Sequence, residues 1–181
     1  LGRFPGRNVL VSLSNFGMGL PPVVVGLWVS IFLWRSGPFG SLGIIYTPTA
    51  MIIAQAVIAS PLVISFTLAA VQQISPRLRL HLLALGANRR QLLWNLIKEA
   101  RLGLLAAVMA GFGGVISEVG ASQMVGGNIK GETRVLTTAT VMEVNKGNFD
   151  VAIALSVILL ALAYGVTAFL TSLQQRRTNY E

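Results

Sequence analysis

Four long stretches of the chain carry no charged residue: 8–34, 36–76, 102–117 and 151–175. About 20 apolar residues at ~1.5 Å rise per residue cross a hydrocarbon core of ~30 Å, so the pattern predicts four membrane-spanning helices. The third stretch is short on its own and reaches the needed length if it runs through Glu118 to about residue 122. The first span, 8–34, contains Gly17, Gly19 and the pair Pro21-Pro22, which remove backbone donors and predict a kinked or discontinuous helix. "RSGPFGSLG" reads as a turn-rich connector. The second span follows over 44–71, with Pro48 and Pro61 inside it. The third, 102–122, offers Gly103, Gly111, Gly113, Gly114 and Gly120 for close helix approach. A polar stretch, 123–150, reads as an external loop before the fourth span, 151–173. The expected fold is all-α, a single polytopic transmembrane helical bundle over residues 1–181.

Composition agrees with this pattern: 54% of the 181 residues are hydrophobic and 11% charged, against roughly 25% charged in ordinary soluble domains. The formal charge of +8 raises nucleic acid as a partner, but the basic residues lie between apolar runs rather than on one soluble face. A positive-inside bias accounts for them. With the start in the cytoplasm, that side holds Arg3, Arg7, Arg77, Arg79, Arg89, Arg90, Lys98, Arg101, Arg176 and Arg177. The other side holds Arg35, Lys130, Arg134 and Lys146. Ten against four places segment 72–101 and both visible ends in the cytoplasm. The chain has no cysteine, which excludes disulfides and thiolate metal sites. It opens on "LGRFPGRNVL" rather than on Met, from which we expect that the natural chain starts earlier.

The segment 72–101 is the basic, amphipathic exception in an apolar chain. Gly86 suits a positive-φ helix stop, Asn88 is a good N-cap, and Gln91 stands where a capping box needs its partner. Helix, sharp turn, helix is the expectation. In the second helix Leu92, Leu93, Leu96, Ile97 and Ala100 recur at helical spacing, while Arg89, Arg90, Asn95 and Lys98 point elsewhere. Such a segment either lies on the membrane surface or fills the groove of a cytoplasmic partner, its basic residues steering an acidic rim.

"LGANRRQLLWNLIKEARLGLLAA" resembles the cytoplasmic loop of ATP-binding-cassette importer permeases. That motif reads E-A-A, three residues, Gly, nine residues, Ile, one residue, Leu-Pro. Aligned on Gly86, its acid falls on Leu80, its alanines on His81 and Leu82, its isoleucine on Leu96 and its Leu-Pro on Lys98 and Glu99. Two longer stretches, "GLPPVVVGLWVSIFLWRSGPFGSLGIIYTPTAMIIAQAVIASPLVIS" and "ISEVGASQMVGGNIKGETRVLTTATVMEVNKGNFDVAIAL", resemble the permeases for tungstate- and molybdate-type oxyanions, closest to the tungstate branch. The resemblance covers nearly the whole chain. It implies a further span ahead of "GRFPGR", a homodimer of permeases in the inner membrane, a pair of cytoplasmic ATPases, an external substrate-binding protein and an oxyanion substrate. It also implies that Leu85, Gly86, Ala87, Asn88 and Arg89 form the turn that couples to the ATPase. ATP and Mg belong to that partner, since this chain has no Gly-x-x-x-x-Gly-Lys-Ser/Thr loop. No cofactor is expected here.

Among other residues, Glu118 is an acid inside an apolar stretch, either a gating or ion-pair group or a helix end exposed to water. Gln55 and Thr49 are uncharged hydrogen-bonding groups that either line a pathway or bridge helices. Lys130 and Arg134 in "GGNIKGETR" either attract an anion at the outer mouth or contact the delivering protein. His81, the one histidine, lacks the companions of a metal site, and no catalytic set of acids, serine and histidine appears. The expected function is that of a permease for tungstate or molybdate and not an enzyme. Rival readings are a permease for sulfate, phosphate or another anion, and a membrane scaffold or channel needing no ATPase.

Overall fold

The computed structural model describes residues 6–175. Arg3, Arg176 and Arg177, which entered the charge count above, lie outside the described residues. In chain order the helices are α1 (Arg7–Met18), α2 (Pro22–Leu33), α3 (Pro48–Gln72), α4 (Pro76–Ala84), α5 (Arg89–Ile116), α6 (Gly120–Gly126), α7 (Leu136–Asn145) and α8 (Phe149–Gln175), with a short 3-10 turn at Gly40–Leu42 between α2 and α3. No strand occurs among the described residues. Three helices, α3, α5 and α8, are each long and apolar enough to cross a membrane.

The first expected span is a broken one. Residues 11–18 and Pro22–Leu33 meet at a bend of 108°. Gly19 and Leu20 donate back to Phe16 and Gly17; Pro21 and Pro22 then have no N–H to continue the ladder. Pro22 instead opens α2, where a missing donor costs nothing.

Two boundaries differ from the sequence expectation. The basic segment and the third apolar stretch form one helix, Arg89–Ile116, with no end near residue 102. Lys98, Glu99, Ala100 and Arg101 are all competent helix formers, so charge marks a change of surroundings there and not a change of backbone. At its far end α5 stops at Ile116, and residues 117–119 separate it from α6, so the third span does not run unbroken to 122. Stretch 123–150 is likewise more than a loop, since α7 forms within it and packs along α8.

Helix α3 packs most extensively on α5, and the contact depends on small residues. A Cβ added at Gly103 would fall 2.3 Å from Ala70 Cβ, and one at Gly111 would fall 2.6 Å from a Val63 methyl. Close backbone approach is what glycine provides between spans. A dry cluster of Val29, Leu33, Ala50, Met51, Ala54 and Val125 joins α2, the start of α3 and α6.

Candidate functional site

Two places gather the residues singled out by sequence. The first is the turn between α4 and α5. The Leu85, Gly86 and Ala87 amides donate to the carbonyls of His81, Leu83 and Leu82 at 3.1, 3.0 and 3.0 Å, and Gly86 takes φ +78°. Asn88 Oδ1 then accepts from the Gln91 amide at 2.9 Å, while Gln91 Oε1 accepts from the Asn88 amide at 2.9 Å. This reciprocal pair satisfies two donors that the start of α5 leaves open. Leu85, Gly86, Asn88 and Arg89 are exposed and Ala87 is half-buried.

The apolar stripe of α5 does not behave as one face. Leu92 and Leu96 are half-buried and Ala100 is buried, but Leu93 and Ile97 stand exposed. Trp94 is 61% exposed, with Lys98 Nζ 5.5 Å above its ring. Leu80 and Leu83 of α4 and Leu85 of the turn are exposed too. The hairpin therefore presents apolar side chains among arginines, a composition that fits a protein groove with an acidic rim.

The second place is an open cavity of about 1060 Å³ between α3, α5 and α8, with Ser122 of α6 and Leu136, Thr137 and Ala139 of α7 also in its wall. Most of its wall is apolar, formed by side chains such as Val63, Phe112, Val115, Ile116 and Leu162. Into this wall the fold brings Gln55, Glu118, Ser122, Arg134 and Thr137. Leu159 and Leu162 mark its depth. They lie 10 and 13 residues into α8, about 15–20 Å from the start of that helix at ~1.5 Å per residue.

Each polar group in the wall has an identifiable anchor. Gln55 Nε2 donates to Ser122 Oγ at 2.6 Å, tying α3 to α6, while Gln55 Oε1 is buried with no partner. Glu118 Oε1 accepts from the Ala121 amide at 2.9 Å, and the Glu118 carbonyl accepts from Thr137 Oγ1 at 3.3 Å. Its partner is thus a backbone amide at a helix end, not an arginine. Arg134 reaches Asn128, with Nε donating to Oδ1 at 3.3 Å and Nη2 to the carbonyl oxygen at 3.2 Å. Asn128 itself has φ +53° and also accepts from Thr138 Oγ1 at 3.0 Å. Thr133 donates to the Gly126 carbonyl and accepts from the Ile129 amide. Segment 126–135 is therefore a pinned fold.

Lys130 and Arg134, candidates for contact with an anion or with the delivering protein, lie in different surroundings. Lys130 is exposed and outside the cavity wall, whereas Arg134 is half-buried in it. Thr49 is exposed in the first turn of α3 and is not part of that wall. The hydroxyls of Ser122, Thr133, Thr137 and Thr138 and the amide of Asn128 went unremarked in the sequence. Their only signal was a dense run of Ser, Thr, Asn and Gly, a composition that bonds its own backbone.

At the turn from α7 to α8, Glu143 accepts from Lys146 Nζ at 2.9 Å and Asn148 Nδ2 at 2.7 Å. The Asn148 bond first, then Lys146, hold its carboxyl below the ordinary glutamate range. A depressed folded value contributes stability that is present above the unfolded pKa of about 4.3 and lost as pH falls through the folded one. Amide exchange at 145–149 is expected to quicken as pH drops below 4.3, after correction for intrinsic exchange, and Glu143→Gln should remove that dependence.

Over residues 2–179 the chain matches the family described as binding-protein-dependent transport system inner membrane component. A probable anion ABC transporter permease protein of Haloferax volcanii is 44% identical over 170 residues, 91% of this chain and 73% of the relative. The tungstate uptake system permease protein of Peptoclostridium acidaminophilum is 42% identical over 168 residues, 93% of this chain and 72% of its own length. The corresponding protein of Campylobacter jejuni is 33% identical over 162 residues, 90% and 68% of the two chains. The described residues, all-helical with long apolar spans and an exposed helical hairpin, suit such a component. The chain belongs to the family of binding-protein-dependent transport system inner membrane components, multi-pass permease subunits that work with an ATPase and a substrate-binding protein and are not themselves enzymes.

Proposed function

We propose that this permease imports an oxyanion of the tungstate–molybdate class, taking it from an external binding protein and releasing it into the cytoplasm by alternating access. The relatives named for anion and tungstate transport, similar along some 90% of the chain, support the substrate class. In this reading two copies pair in the inner membrane, lipid surrounds the outward faces of α3 and α8, and both visible ends face the cytoplasm. A pair of ATPases, which hold ATP and Mg, grips the two α4–α5 turns through residues 85–89.

The observation that carries the reading is one of continuity. The capped turn at Asn88 opens the same helix that ends at Ile116 in the cavity wall, so movement imposed at the turn reaches the cavity through unbroken hydrogen-bonded backbone. Gln55 and Glu118 act there as gate or pathway groups.

The test is reconstitution of the complex in vesicles with its own ATPase and binding protein, measuring uptake and stimulated ATP hydrolysis with tungstate, molybdate, sulfate and phosphate in turn. Tungstate or molybdate should stimulate at the lowest concentration. Stimulation by sulfate or phosphate alone would reassign the substrate. A chain that retains no ATPase, and whose Gly86→Trp variant still conducts, is a channel or scaffold and the reading fails.

A further inference from the structure

Resting on the oxyanion reading, we propose that Arg134 is the cation of an anion stop in the open cavity between α3, α5 and α8, balanced by Glu118 in the same wall. A guanidinium in a mostly apolar wall is costly and marks a substrate path when no structural ion pair explains it. Among the described residues no ion pair joins Arg134 to Glu118; the arginine bonds neutral Asn128 and acts on the Glu143 carboxylate only through space, and the Glu118 carboxylate bonds a backbone amide. The Asn128 bonds use Nε and one N–H of Nη2, which leaves the other edge of the guanidinium, Nη1 with the second N–H of Nη2, for a guest. A tetrahedral dianion matches that donor pair, since guanidinium forks suit oxyanions.

Glu118 gives the site its second property. An unopposed arginine in an apolar cavity would hold a dianion too firmly for transport, because a path needs binding strong enough for entry and weak enough for exit. A fixed carboxylate in the same wall lowers the field felt by the anion without neutralising Arg134 by contact. Arg134 is thus the attracting group and Glu118 the releasing one.

Residues 1–181 hold no cysteine, so Val135→Cys adds one thiol to them, beside Arg134 in the cavity wall, and the Val135 complex is labelled in parallel to subtract any thiol elsewhere in it. The reconstituted complex is treated with N-ethylmaleimide with and without tungstate at constant ionic strength, and labelling of the permease is followed by its mass. The protection ratio is read within each variant, which removes differences in thiol reactivity. Tungstate should slow labelling several-fold. Adding Arg134→Gln should abolish the protection, Arg134→Lys should keep part of it, and Glu118→Gln should strengthen it. Protection that persists in Arg134→Gln, or is absent in a parent complex that imports tungstate, overturns the proposal while leaving the importer reading intact. A parent complex that imports no oxyanion is the separate failure of that reading. If Arg134→Gln does not assemble, the Arg134→Lys and Glu118→Gln shifts decide, and no shift in either overturns the proposal.

Discussion

Gly86→Val is expected to reduce ATP-driven uptake by about 5- to 30-fold while leaving the helical content unchanged. The turn holds Gly86 at φ +78°, and nothing lies within 4 Å of where its Cβ would stand, so the penalty is one of backbone alone. A β-branched residue in the left-handed region costs roughly 1–2 kcal/mol, which is that factor in the population of the native turn. Gly86→Asn separates backbone geometry from side-chain size, because Asn enters the left-handed region at little cost. Uptake and ATPase retention near the parent level are expected for Asn. Equal losses with Asn and Val would mean that the position needs open space for its partner and not the turn conformation.

Gly26→Leu is expected to cost the folded protein altogether. A Cβ on Gly26 would stand 2.5 Å from Ala121 Cα and 2.8 Å from its Cβ, where α2 lies against α6. The obstruction is main chain, and no rotamer change relieves it. Even Gly26→Ala should cost about 1–3 kcal/mol through overpacking, and the larger side chain more. Recovery of a single species in size-exclusion chromatography and the thermal midpoint in detergent read the effect. Gly113→Ala is the matched control: a helical glycine with nothing within 4 Å of its Cβ, at which alanine should add about 0.5–1 kcal/mol. If the Gly26 variants match that control, the α2–α6 contact does not hold the outer half of the bundle.

What could be read from the chain alone was what local chemistry decides. Gly86, Asn88 and Gln91 lie within six residues of one another and specify their turn without help from the rest of the molecule. Pro21-Pro22 breaks its helix for an equally local reason. The continuity of α5 was hidden because a change from charged to apolar residues looks like a boundary, although Lys98 to Arg101 extend a helix as readily as the leucines after them. The cavity was hidden for a different reason. Gln55 and Ser122 are 67 residues apart, and Arg134 sits in a run of Gly, Asn, Glu and Thr that reads as solvated loop. Only the bonds to Asn128 and the packing of α7 on α8 carry that arginine into the wall. Thr49, six residues before Gln55 on the same helix, is exposed and outside the cavity wall, a difference that spacing on an isolated helix does not determine.

The breaks in the helices fall at a common level. Gly17, just before the α1–α2 bend, would touch Pro61 if it carried a Cβ. Pro61 interrupts the hydrogen-bond ladder of α3. Gly114, beside the end of α5, meets Leu62. Below this level α1, the second half of α3 and α5 pack together; above it α2, the first half of α3 and α6 share the dry cluster. The described part of the molecule is thus built in two storeys with a seam between them. A tilt of the lower storey would open or close the cavity at the seam while each storey keeps its own packing, so the protein can change shape without melting any helix.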